Sequence, residues 1–399
     1  MKYTFQELHC LVTKAYLKAR REERNTPPQL TFEMDLEHNL KEITHELYCR
    51  TWSPRPLDWF INLKPVVREV FAPHFRDRVV SHVIFFMISP IFERYFIYDS
   101  HSCRLGKGTL EGISRFEHNI RSITDNYTQD AWCLNIDISG YFMSIPRDKL
   151  YEVTWKTLRK YQAKFPDAID YSLADYIIRT YLDRDPLYKC VYHGNPALKK
   201  LVPPQKSLWN QPKGIGIPIG DVKNQLDSNI YMNVCDQFIK RELKIHNYNR
   251  YVDDAKCLHR DREYLVECKE RIGNFLNEEL SLTLHPNKTT ITNLYDTTYF
   301  LGAAILPYRR YAKNDSLGRF KAYIESLENA LILGEPLDYK KVVACLNSRL
   351  GYLQHFNEIN MINKVISNSP NVQDVFSFTA EYKKAIIKED TKYESIQIR

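Results

Sequence analysis

Two short apolar segments, far apart in the chain, each carry acid to a turn. Ala131 to Ile138 reads Ala-Trp-Cys-Leu-Asn-Ile-Asp-Ile, a bounded strand that delivers Asp137 near its end. Arg250 to Leu258 reads as a second strand with a turn in its middle, where Tyr251-Val252 leads into the adjacent pair Asp253-Asp254. Were these strands neighbours, three carboxylates would share one site. Like charges a few ångströms apart repel strongly at low dielectric. Divalent cations relieve that repulsion, and Mg²⁺ favours one or two carboxylates together with phosphate oxygens. Two such ions about 4 Å apart activate an attacking hydroxyl and stabilise a leaving oxygen in phosphoryl transfer. Taken alone, Asp253-Asp254 reads equally well as the closing turn of a hairpin.

The composition is compatible with that chemistry. Fifty-six Lys and Arg against 49 Asp and Glu give +7, a mildly basic balance that permits a nucleic-acid partner without requiring one. With 44% apolar residues and only 13 Gly among 399, fibrous and largely disordered classes fall away. The longest apolar run, Val83 to Phe92, is broken by Ser89 and Pro90 and falls short of the ~18 residues of a membrane span. No membrane association is therefore expected. The nine Cys are scattered without a Cys-x-x-Cys, so neither a disulfide framework nor a zinc site is indicated, and a cytoplasmic setting is the default expectation.

Residues 1 to about 60 read as polar helix, with Pro27-Pro28 as a loop. Leu63 to Val70 reads as a strand, Arg78 to Ser89 as an apolar helix, and Pro146 to Tyr161 as a helix with proline in its first turn. Leu187 to Gly220 is loop-rich. Asp221 to Leu243 reads as helix, and Leu265, Cys268, Ile272, Phe275 and Leu276 lie at helical spacing. Leu282 to Leu284 and Tyr299 to Ile305 read as strands, and the tail from about 312 as helix. Strands and helices mix without a βαβ period, which predicts an α+β fold.

Five motifs follow one another in the chain: Asp137-Ile138-Ser139-Gly140-Tyr141-Phe142, Gly214-Ile215-Gly216-Ile217-Pro218-Ile219-Gly220, Tyr251-Val252-Asp253-Asp254, Leu284-His285-Pro286-Asn287-Lys288 and Tyr299-Phe300-Leu301-Gly302. Together they resemble the palm motif series of reverse transcriptases. Arg68 with Phe71 to Val80 is similar to the fingers motif of bacterial reverse transcriptases, and Asp99 to Thr109 to the segment after it. The resemblance covers about residues 60 to 310 and extends more faintly to Ser348–Leu353, which looks like a thumb segment. It implies a right-hand polymerase with an antiparallel palm sheet. Residues 1–60 would form an N-terminal helical extension, 61–130 the fingers with the start of the palm, and 131–310 the palm with an insertion at about 162–213. Residues 311–399 would be a helical thumb gripping the duplex through bases such as Lys383, Lys384 and Lys388.

The same resemblance implies roles. Asp137, Asp253 and Asp254 would hold two Mg²⁺ ions, with Mn²⁺ as a substitute and the Ile138 carbonyl as a further ligand. Phe142 would screen the sugar 2′ position, the alternative being a core aromatic. Arg68, Arg76 and Arg78 would meet the triphosphate or template, Arg suiting phosphate through its planar fork; a surface or Asp77-paired charge is the alternative. Ile219-Gly220 would approach the nascent base pair, a core side chain being the alternative for Ile219, and Lys288 would protonate departing pyrophosphate, a surface lysine being the alternative. His74, His82 and His101 lack metal spacing and read as structural or RNA-contacting.

Ile219 stands where intron and retroviral enzymes usually carry Gln. Ile219-Gly220-Asp221-Val222-Lys223-Asn224-Gln225 is similar to the signature of diversity-generating retroelement enzymes, departing from it at Asn224, where Ser is usual. That subfamily implies error-prone copying of a template RNA into cDNA, with dNTPs, an RNA/cDNA duplex and a small basic accessory protein as partners, in a bacterial or phage setting. A retron-like or phage-defence enzyme is the alternative within the chemistry. An inactive RNA-binding scaffold is the alternative outside it.

Overall fold

The computed structural model describes residues 2–64 and 66–388. In chain order, helices α1 (Phe5–Glu22), α2 (Pro27–Glu33) and α3 (Leu36–Cys49) lead to strands β1 (Asp58–Asn62) and β2 (Arg68–Ala72) and helix α4 (Phe75–Phe92). Helix α5 (Thr109–Ile123) precedes β3 (Trp132–Ile136), α6 (Tyr141–Ser144), α7 (Arg147–Gln162) and α8 (Tyr171–Asp183). Next come β4 (Val191–Tyr192), α9 (Val222–Arg241), β5 (Asn247–Tyr251), β6 (Asp254–His259), α10 (Arg262–Leu280) and β7 (Thr290–Asn293). The chain continues through β8 (Thr298–Phe300), β9 (Ala303–Leu306), β10 (Arg309–Ala312), α11 (Asn314–Ile332), α12 (Tyr339–Leu353), α13 (Ile359–Ser367), α14 (Pro370–Val375), β11 (Phe376–Phe378) and β12 (Ala385–Ile387). The class is α+β, as expected. Two compact units are present, Met1–Gly108 with Leu134–Ile291 and Thr109–Cys133 with Thr292–Arg399.

In the first unit α4 is the central helix. Val79, Val80, Val83, Ile84, Met87, Ile88, Ile91 and Phe92 are all buried, so it is apolar nearly all round, as a fully enclosed helix must be. The helix starts earlier than expected because the His74 ring accepts from the Arg76 N–H and caps it. It also passes through Pro90, within its last turn. Pro27-Pro28 is not a loop. The pair opens α2, where proline's fixed φ and absent N–H suit the first turn.

The strand expected at 63–70 is a hairpin instead. β1 and β2 pair antiparallel from Asp58↔Ala72 to Asn62↔Arg68. β4 joins β1 in parallel, giving the order β2-β1-β4. Alternation along β1 turns Trp59 and Ile61 into a cluster with Leu57, Phe71, Met143, Val202 and Leu208. The 162–213 segment is thus tied to this sheet: Ser207 Oγ and the Leu208 N–H both donate to the buried Glu69 carboxylate, at 2.6 and 2.8 Å. A four-stranded sheet of order β5-β6-β3-β7 carries the acids. Helix α10 buries Leu265, Cys268, Ile272 and Leu276 as the spacing predicted, and Phe275 stacks on Phe238 at 4.1 Å.

The second unit holds α5, the meander β10-β9-β8, helices α11 to α14 and the hairpin β11-β12. The run at 299–305 is two strands. Leu301 and Gly302 both adopt left-handed backbone (φ 51° and 83°) and turn the chain between β8 and β9. The Ser348–Leu353 segment lies within α12, which buries Leu346, Leu350 and Leu353. Of the tail lysines, Lys383 pairs with Glu381 at 2.6 Å. No helix among the described residues is long and apolar enough to cross a membrane. All nine cysteines are free.

Candidate active site

β5 and β6 form an antiparallel hairpin whose last pair is Tyr251↔Asp254. Val252 and Asp253 therefore make its two-residue tip, and Asp254 opens the returning strand. β6 lies beside β3, and Asp137 immediately follows β3. The acids are within one another's field. Burial raises the Asp253 carboxyl to about 6, and the charges of Asp137 and Asp254 push it the same way. Burial also raises Asp254, opposed by Lys256, whose Nζ lies 2.9 Å from Asp254 Oδ1. Lys256 was not anticipated; it stands two residues along the strand and hence on the same face.

Lys288 reaches this site because the chain after α10 is strapped to Asp137. The His285 N–H donates to the Asp137 carbonyl at 2.8 Å, and Ser139 N–H to the Thr283 carbonyl at 2.9 Å. Ile138 and Leu284 form a bridge, which is all that remains of the strand expected at 282–284. The turn closes with Lys288 N–H on the His285 carbonyl at 3.3 Å. Lys288 Nζ then lies 3.4 Å from Asp137 Oδ2.

The 214–220 loop is stitched on two sides. Gly216 and Ile217 N–H donate to the carbonyls of Ile145 and Phe142, at 2.8 and 2.9 Å. The Phe71 N–H of β2 donates to the Ile219 carbonyl at 2.7 Å. Gly220 has φ +136°, and a Cβ there would sit 2.6 Å from the Phe71 carbonyl oxygen, so only glycine permits this approach. Phe142 and Ile219 are half-buried and pack against the same Trp59–Phe71 cluster. Of the neighbouring aromatics, Tyr141 is the inward one; its hydroxyl donates to the Ser228 carbonyl at 2.6 Å.

The three arginines part company. Arg68 is exposed at the start of β2, and its charge draws the Asp253 carboxyl down. Arg76 is 3% exposed, with Nη2 2.7 Å from Glu46 and 3.3 Å from Glu42 on α3. Arg78 pairs with Glu23 and donates to the Pro73 carbonyl at 3.2 Å. The first turn of α4 faces the acids of the N-terminal helices, so the structure moves Arg76 out of the candidate site and engages Arg78 elsewhere. His101 is fully buried, within 3.0 Å of the Asn249 amide, and is structural.

Beneath the hairpin lies a buried ion pair that the sequence reading passed over. Arg250 donates through Nε and Nη2 to the two oxygens of Asp236, at 2.8 and 2.7 Å, and the Tyr248 hydroxyl donates to the same carboxylate at 2.8 Å. An arginine inside a strand leading into the acids was the available signal. Among the described residues, no group of three or more His, Cys, Asp or Glu is gathered tightly enough to hold a metal ion unaided. The hard oxygen donors and the mutual repulsion at Asp253 nevertheless suit a divalent cation that also takes oxygens from a substrate phosphate.

The family described as reverse transcriptase (RNA-dependent DNA polymerase) matches residues 66–305, more than half of the chain. An uncharacterised 91 kDa protein in the cob intron of Schizosaccharomyces pombe is 23% identical, over 66% of this chain and 35% of its own length. The chain thus spans about a third of that curated relative. Among solved structures, telomerase from Candida albicans with a fragment of telomeric RNA aligns at 12% identity and TM-score 0.45, covering 85% of this chain and 60% of the other. Apo telomerase from Candida tropicalis aligns at 12% and 0.41, covering 64% and 54%. On the family match, this chain belongs to the reverse transcriptases.

Proposed function

We propose that the chain is an active RNA-directed DNA polymerase and that Asp137, Asp253 and Asp254 form its catalytic centre. The observation that carries this reading is the placement of Asp253, half-buried at a hairpin tip on the sheet that also carries Asp137, its carboxyl raised in the field of the other two acids and Lys288 Nζ 3.4 Å from Asp137. Asp137, Asp253 and the Ile138 carbonyl would hold Mg²⁺ or Mn²⁺, with Asp254 acting through its field. When bound, the ions favour the deprotonated attacking hydroxyl and neutralise charge building on the phosphates. Arg68 grips the triphosphate through its planar fork. The Phe142 ring excludes a sugar 2′-hydroxyl. Lys288 donates a proton from Nζ to departing pyrophosphate. RNA template, RNA/cDNA duplex and dNTPs are the partners. The test is Mg²⁺-dependent dNTP incorporation on a primed RNA, with Asp253→Ala as control. No incorporation under any priming scheme would favour an RNA-binding scaffold.

We further propose error-prone copying of the diversity-generating kind, with a small basic accessory protein. Ile219 supports it: its carbonyl is taken by Phe71, and its side chain is apolar and packs against the Trp59–Phe71 cluster, so it offers the nascent pair no side-chain hydrogen bond. Ile219→Gln should sharpen fidelity, most at template adenines. An unchanged error spectrum on the cognate RNA sinks this subtype. One observation keeps a retron-like or defence role as the second reading. Asn224 Nδ2 donates to the Pro218 carbonyl at 2.9 Å, from an atom one bond farther out than a serine hydroxyl. The departure from the retroelement signature is therefore built into the loop that carries Ile219.

A further inference from the structure

The tip of the acid hairpin places a β-branched residue where backbone space favours glycine. Val252 has φ +58°, a true outlier for valine. Such a conformation persists only where surrounding structure enforces it. Both backbone polar groups of Val252 are held. Its carbonyl accepts from Arg250 Nη1 at 2.9 Å, and its N–H donates to Ser102 Oγ at 3.2 Å, across 150 residues of sequence. Ser102 Oγ in turn donates to Asn229 Oδ1 at 2.9 Å, and Asn229 Nδ2 returns a bond to the Ser102 carbonyl at 2.8 Å. Arg250 closes the circuit through Asn229 Oδ1 at 3.1 Å and Ser100 Oγ at 3.0 Å, besides Asp236.

The platform beneath is rigid. The Asp99–Ser102 segment runs alongside β5, with Arg250 N–H on the Asp99 carbonyl and His101 N–H on the Arg250 carbonyl, each at 2.9 Å. Ser100, His101, Ser102 and Arg250 are completely buried. A serine hydroxyl at this place both accepts and donates, which an alanine cannot do.

We infer that Ser102 is a positioning residue: its hydroxyl holds Val252 in the left-handed conformation and so aims Asp253 at Asp137. This rests on the catalytic reading of Asp253. Without the hydroxyl, the Val252 N–H is orphaned and the tip relaxes toward an unstrained turn. Substrate contacts at Arg68, Phe142 and Ile219 are untouched, so the effect falls on the chemical step.

The test combines Ser102→Ala, Val252→Gly and the double variant, each verified as folded by circular dichroism. Ser102→Ala should lower kcat about tenfold with the KM for dNTP unchanged, the scale of one lost hydrogen bond. Hydrogen exchange should show loss of protection in the hairpin peptide. Glycine adopts φ +58° without strain, so in the Val252→Gly background the Ser102→Ala loss should shrink to about twofold or less. A wild-type kcat in Ser102→Ala, an equal loss in both backgrounds, or a raised KM with kcat intact would overturn the inference. Asp253→Ala separates the two layers. If it stays active, the catalytic reading falls and this inference with it. If it is dead while Ser102→Ala is not rescued by glycine, only the inference falls.

Discussion

Gly220→Ala is the sharpest probe of the stitch between the 214–220 loop and strand β2. At φ +136° a non-glycine residue costs ~1–3 kcal/mol in backbone strain alone. Its Cβ would lie 2.6 Å from the Phe71 carbonyl oxygen and 3.1 Å from Val70 Cγ1. The strand cannot yield, because Phe71 is paired with Trp59 across the hairpin. The loop must retreat, by about 0.8 Å to reach an ordinary 3.4 Å contact. That loosens the 2.7 Å bond from Phe71 N–H to the Ile219 carbonyl, worth about 1 kcal/mol. The expected loss is ~2–4 kcal/mol in urea unfolding, with a raised KM for dNTP because Ile219 rides on the same bond. Gly214→Ala is the control: φ is +87°, but no atom lies within 4 Å of the added Cβ, so it reports strain alone. Should the two variants agree within about 0.5 kcal/mol, and KM hold in both, the close approach would have no energetic meaning.

Two other outcomes are expected. Lys288→Met should leave stability within about 0.5 kcal/mol, since the 3.4 Å pair with Asp137 is solvent-exposed, while lowering kcat about 100-fold in single-turnover extension; a rate within about threefold of the parent would remove Lys288 from the chemistry. Asp77, raised to about 6 chiefly by burial, binds its proton more tightly folded than unfolded, so the stability it lends is present below about 4 and is lost as pH rises through about 6, a swing of ~3 kcal/mol at most. Asp77→Asn should flatten that slope in chemical denaturation at pH 4 to 7. It should also cost about 1–3 kcal/mol, because one of the two N–H donors now served, Trp52 Nε1 and Arg55 N, would face an amide NH₂. A slope unchanged in this variant would place the titration elsewhere.

What the sequence disclosed depended on the range of the forces involved. The acids were legible because short apolar strands ending in turns are a local pattern, and Asp253 at a two-residue tip is its direct consequence. Gly220 was expected to allow close backbone approach to a nascent base pair, but the approach the structure shows is to the Phe71 carbonyl, which lies far off in the sequence. The turn at Leu301-Gly302 stayed hidden because only one of its two left-handed residues is glycine, so an apolar run looked continuous. Arg76 was misplaced for a different reason. Its motif position suggested phosphate, yet Glu42 and Glu46 approach from a helix that no local pattern connects to it. The hairpin itself shows the same limit at its most consequential point. Tyr-Val-Asp-Asp announces two acids, but the strain at Val252 is invisible without Ser102, and Ser102 lies in a segment whose own sequence gives no hint of the contact. The chemistry is thus written locally in the acids, whereas their aim is written in a buried hydroxyl and a buried guanidinium that only the folded chain brings beneath them.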